Sequence, residues 1–130
     1  MILIALLLIG YIVVLKLPQA SVISKSAVAE ISAEELYLAF TEDEAKAQKD
    51  YLGKAVVVQG KLDEKYEDEN GAPVVILAGA DGSPVSLITL EQGESQKLNR
   101  YDVGKDIRIK ALCSGLLMEV TLNKGIILGD

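Results

Sequence analysis

Residues 106–122 read DIRIKALCSGLLMEVTL. Ile107, Ile109 and Ala111 alternate with Arg108 and Lys110, the two-residue period of a strand with one buried face. Beyond Ser114-Gly115 the alternation resumes over 116–122, with Met118, Val120 and Leu122 set against Glu119 and Thr121. The Ser-Gly pair predicts a tight turn between the two strands. Cys113 ends the first of them and is the chain's single cysteine. A reactive thiol needs a helix N-terminus, a cation or a base beside it. The nearest cation in sequence is Lys110, and the chain has no histidine. Cys113 is therefore expected to be a packed, structural thiol, since free cysteine is among the most buried residue types. Pairing with another molecule's cysteine is the alternative if the domain lies outside the cytoplasm.

Upstream, residues 54–62 (KAVVVQGKL) predict a Val-rich strand, with Gly60 marking a bulge or the bend of a small barrel. Residues 63–71 (DEKYEDENG) predict an acidic hairpin loop ending in Asn-Gly. Strands are expected over 72–78 and 84–90, joined by an Asp81-Gly82 turn. The polar stretch 91–104 has room for one helical turn within 95–101, and residues 126–128 close the chain. Before the strands, Ser32 and Glu35 have the spacing of a capping box. Leu36, Phe40, Ala47 and Tyr51 make one apolar helical face, and Gly53 stops the helix. One amphipathic helix followed by five strands, with a helical turn between the third and fourth, predicts a five-stranded Greek-key barrel of the OB type. Another small meander or sandwich is the alternative.

The first fifteen residues, MILIALLLIGYIVVL, hold no charged side chain; Lys16 is the first. As a helix they would span about 22 Å at about 1.5 Å per residue, against a hydrocarbon core of about 30 Å. Snorkelling by Lys16 would make up part of the difference. The segment reads as a membrane anchor or a signal segment. The missing basic n-region favours the anchor, and the lack of a cysteine nearby disfavours a lipoprotein. The expected organisation is an anchor or signal segment over 1–16, a linker over 17–31 and an OB-fold domain with its N-terminal helix over 32–130. Lys16 and Lys25 come after the apolar run, which by charge alone would place the domain in the cytoplasm. Short N-terminal anchors commonly export the domain attached to them, so an extracytoplasmic domain is expected, with the cytoplasmic side left open.

The ordered pattern is more specific than the strand count. The chain runs ISAEELYLAFTEDEAKAQKDYLGKAVVVQGKL, then VVILAGADGSPVSLITL, then YDVGKDIRIKALCSGLLMEVTLNKGIIL. Over residues 32–128 it resembles the tRNA-anti-like family of OB-fold proteins, in which a helix of the form ELY.AF precedes a strand of the form V.V.G.V. The resemblance implies the OB fold and leaves the activity open, because a fold does not fix a function. Two positions depart from the family pattern. The glycine that precedes the fourth-strand cysteine is Ala111 here. The second cysteine position falls on Gly125, so the pairing open to relatives with both cysteines is closed to this chain.

Net charge is -6 and the pI is near 4.7, so a polyanion would meet an overall repulsive field. With no histidine and one cysteine, the usual zinc and copper sites and Ser-His-Asp or Cys-His centres are excluded. The acidic run Asp63, Glu64, Glu67, Asp68 and Glu69 lacks the ligand spacing of a calcium loop and reads as a solvated hairpin. AGADGSP lacks the Lys-Ser/Thr of a phosphate loop. No metal or cofactor is expected, and no enzyme. The ligand-binding candidates are Lys61, Lys65 and Tyr66, near the first hairpin, and Arg108 and Lys110 on the outward face of the fourth strand. The expected function is a non-catalytic, membrane-tethered OB-fold module for a protein, peptide or envelope glycan. The alternatives are a nucleic-acid binder, disfavoured by the acidic charge and sparse aromatics, and a structural or oligomerisation domain.

Overall fold

A computed structural model describes residues 26–128. The hydrophobic N-terminal helix, the anchor or signal segment and most of the expected linker lie outside the described residues. In chain order the elements are β1 Glu30–Ser32, α1 Ala33–Glu42, α2 Glu44–Tyr51, β2 Ala55–Glu67, β3 Pro73–Ala78 and β4 Pro84–Leu90. A 3-10 turn, Gln92–Glu94, then leads into α3 Ser95–Leu98, followed by β5 Asp106–Leu116 and β6 Val120–Leu128. Strands β2 to β6 pair in the order β2-β3-β4-β6-β5, and β5 pairs back onto β2. This is a closed five-stranded Greek-key barrel of the OB type, and closure removes the edges a sheet would otherwise expose.

Closure depends on β2 serving two partners. Residues 55–61 pair with β5 and residues 61–67 with β3, so the strand changes neighbours at Lys61. The register shifts between Leu62 and Glu64, just past Gly60. A Cβ on Gly60 would lie 3.1 Å from the Cβ of Ala33 and 3.3 Å from that of Leu77. The glycine therefore admits the start of α1 and β3 at the bend, while the bulge itself falls on the residues after it.

The helices fill the two ends of the barrel. Ser32 caps α1, its Oγ accepting from Glu35 N at 3.0 Å, which is the hydroxyl half of the expected capping box; the Glu35 carboxylate instead accepts from that same hydroxyl at 3.0 Å. α1 lies against every strand, and its Leu36 and Phe40 are fully buried in the core. At the opposite end, Leu98 of α3 is buried. Glu94 reaches across the barrel floor, where Oε1 accepts from Ile127 N at 2.6 Å.

Four local expectations are corrected. The single helix breaks at Asp43, whose backbone is non-helical (φ -152°, ψ 85°) and whose carboxylate accepts from Lys46 N to start α2. Residues 63–67 continue β2, so the acidic loop shrinks to residues 68–72, where Asp68 Oδ1 accepts from Asn70 N and Ala72 N. Ser114-Gly115 is a bulge inside β5, with Gly115 at φ 119°, and the chain reverses at residues 117–119, where Leu117 N donates to Glu119 O. β6 runs unbroken to Leu128, absorbing Lys124 (φ 53°) and Gly125 as a second irregularity opposite Ala111. In addition, the end of the segment read as a linker forms β1, parallel to β2.

Candidate binding face

OB barrels commonly bind ligands on the outer face of their second and third strands and on the adjoining loops. Those strands are β3 and β4 here. Register places Val75 and Leu77 inward, opposite Ile88 and Ser86. The outward pairs are Val74 with Thr89 and Ile76 with Leu87. Across the neighbouring strands, Glu64 and Tyr66 of β2 continue these rows on one side, and Thr121 of β6 adjoins Leu87 on the other. Ile76, Leu87 and Thr89 are half-buried and Tyr66 is 45% exposed, whereas Val74 is buried despite its outward register. The face is therefore apolar and hydroxyl-bearing, with one carboxylate and no Lys or Arg among these positions. Its flanking loops are the acidic residues 68–72 and the turn at 117–119, where exposed Leu117 and Met118 precede Glu119.

The five candidates from the sequence are not brought together on this face. Tyr66 belongs to it and also lines a shallow pocket of about 230 Å³ with Lys65, Pro73, Ser95 and Leu98. Lys65 lies opposite inward-facing Val75. Its ammonium donates to Tyr101 O at 2.9 Å and Leu98 O at 3.4 Å, the carbonyls at the C-terminal side of α3. Lys61 is exposed and borders a separate groove of about 370 Å³ beside Ser32, Glu34, Gln59 and Asp63. Arg108 and Lys110 occupy the far side of the barrel, opposite Gln59 and Val57 of β2. There Arg108 donates through Nε to Glu30 Oε1 at 2.9 Å, pairing β5 with the short strand β1. Cys113 is 2% exposed within the core, and burial pushes its thiol pKa up.

Sequence reasoning passed over Val74, Ile76, Leu87 and Thr89. PVVILA and PVSLITL are apolar at both inward and outward positions, so each reads as a wholly buried strand. Only the pairing register separates the two faces. Among the described residues no group of His, Cys, Asp or Glu could hold a metal ion, and no helix is long and apolar enough to cross a membrane.

The tRNA_anti-like family model matches residues 1–127. The chain belongs to that family. The match takes in the apolar N-terminal residues as well as the barrel, a longer reach than the 32–128 read from motifs. No curated protein matches this tRNA-anti-like chain. Among solved structures it is similar to a "putative nucleic acid-binding lipoprotein" from Klebsiella pneumoniae subsp. pneumoniae. The identity is 21% and the TM-score 0.59, covering 83% of this chain and 95% of that one. It is also similar to a "putative aspartyl-tRNA synthetase" from Leishmania major, at 11% identity and TM-score 0.51, over 82% of this chain and 21% of that one. Both likenesses are to the fold.

Proposed function

We propose that this tRNA-anti-like protein is a non-catalytic OB-fold binding module held at a membrane by residues 1–16, with its barrel outside the cytoplasm. The partner is a protein or peptide that lies across the β3–β4 face. The observation that carries this reading is the composition of the accessible part of that face: Ile76, Leu87, Thr89 and Thr121, flanked by Glu64 and Tyr66. Apolar area released from water rewards a polypeptide partner. A phosphate backbone needs cations to displace its counterions, and the face supplies none. An envelope glycan would have Tyr66 as its stacking surface and hydroxyls as its polar contacts.

The relative from Klebsiella pneumoniae carries "nucleic acid-binding" in its name, and that name supports the second reading, a module for single-stranded nucleic acid. It would have to use Arg108, Lys110 and Lys61 on the other side of the barrel. A photoreactive side chain at position 87 of the full-length chain, irradiated in its native membranes, tests the choice. A protease-sensitive adduct that Ile76→Glu abolishes is expected. A nuclease-sensitive adduct, or none that depends on Ile76, would refute the protein-partner reading.

A further inference from the structure

Among the described residues, the two most exposed large apolar side chains are neighbours, Met118 at 85% and Leu117 at 81%. They form the tip of the β5–β6 hairpin. Leu52 is 45% exposed, and its Cδ1 lies 3.4 Å from where a Cβ on Gly115 would sit, so it continues the patch from the tip towards the barrel. Leu52 also pairs with Cys113, and Gly53 N donates to Cys113 O at 2.8 Å, which ties the end of α2 to the base of the hairpin. Soluble surfaces scatter single apolar residues, whereas a contiguous protruding group marks a contact.

The register fixes where that tip points. β5 runs antiparallel to β2, with Leu112 opposite Ala55, so residues 113–118 extend past the N-terminal end of β2. β1 runs parallel to β2, with Glu30 opposite Val57, and Val28 N donates to Ala55 O at 2.9 Å. Tracing backwards from Glu30 to Ser26, the chain leaves the barrel past that same end. Val28, 53% exposed, lies there as well. The uncharged residues 1–15 are thus connected to the barrel on the side where its apolar tip projects. Ten residues, 16–25, can span at most about 35 Å when extended at about 3.5 Å each, which bounds the distance between the two.

We propose that Leu117 and Met118 insert into the lipid interface, so that the hairpin tip and the N-terminal segment seat the barrel on the membrane at two points. The partner is the bilayer surface, recognised by burial of apolar side chains at the headgroup boundary. The seat orients the barrel: the Val28–Leu52–Leu117–Met118 end faces the lipid, and the residue 68–72 loop at the other end of β3 faces away. This proposal rests on the membrane-tethered reading.

The test uses the full-length chain in vesicles of phosphatidylcholine and phosphatidylglycerol. Met118→Cys is labelled with an environment-sensitive fluorophore, and Asn70→Cys, at the far end, is labelled in parallel. The unsubstituted chain, whose Cys113 is buried, supplies the blank. The expected result is a blue shift at position 118 with quenching by lipids carrying a nitroxide near the headgroup, and neither at position 70. Vesicle flotation of the protein with a water-like, unquenched signal at 118 would overturn the proposal and leave the tether standing. A blue shift without quenching would overturn it as well, because the tip would then be covered by a second copy or by residues 1–15. Failure of the protein to float with vesicles would reject the tether and the proposal together.

Discussion

Cys113 and Gly125 show how closely this barrel is packed at single positions. Cys113 contributes its side chain to the core, and burial raises its thiol pKa. The native state then holds a proton that the unfolded chain releases above its ordinary thiol pKa of about 8.5. Stability from this group is complete below that value and falls as the pH rises past it. Urea unfolding on either side of that pKa should show the loss, and Cys113→Ala should flatten it. Native protein should react with a thiol reagent no faster than it unfolds; prompt labelling would contradict a packed thiol. At Gly125 a Cβ would lie 2.6 Å from Leu90 Cδ2 and 3.0 Å from Ile88 Cγ2. Any side chain here would force Leu90 and Ile88 to shift. Gly125→Cys should cost about 1–3 kcal/mol through overpacking, read as a lower urea midpoint.

At the scale of elements, the connection between β4 and β5 holds the barrel floor. Glu94 is 8% exposed, accepts from Ile127 N and lies 3.4 Å from Lys97 Nζ. Glu94→Ala would leave a buried main-chain N–H without its acceptor, a loss of about 1–3 kcal/mol. Glu94→Gln keeps an acceptor and should lose less, measurable by chemical unfolding of both variants. The Arg108–Glu30 pair, exposed at both side chains, should contribute at most about 1 kcal/mol. The strands themselves were legible because their alternation is strong in DIRIKAL and their ends carry turn residues. Ser114-Gly115 misled because a glycine with positive φ serves a bulge as well as a turn, and the sequence offers no cue to choose. The continuation of β2 through its acidic residues was hidden because outward Glu64 and inward Lys65 look alike in a charged run. The role of Lys65 on the α3 carbonyls, and of Glu94 on β6, depends on contacts far apart in sequence that no local pattern announces.

At the scale of the whole molecule, charge is unevenly distributed over the barrel. The acidic 68–72 loop and the apolar β3–β4 face adjoin each other, while Arg108 and Lys110 sit on the opposite side of the barrel. Fold precedent alone would have put the ligand near Lys61, Lys65 and Tyr66; only Tyr66 reaches the face itself. A lateral face with one carboxylate and no Lys or Arg suits the proposed polypeptide partner better than a phosphate backbone. The most direct test is binding of the full-length chain, in mild detergent, to single-stranded DNA at about 50 mM salt, where the phosphate term is strong. No retention is predicted. Retention that weakens steeply towards about 200 mM salt, and is lost on Arg108→Glu, would contradict the protein-partner account.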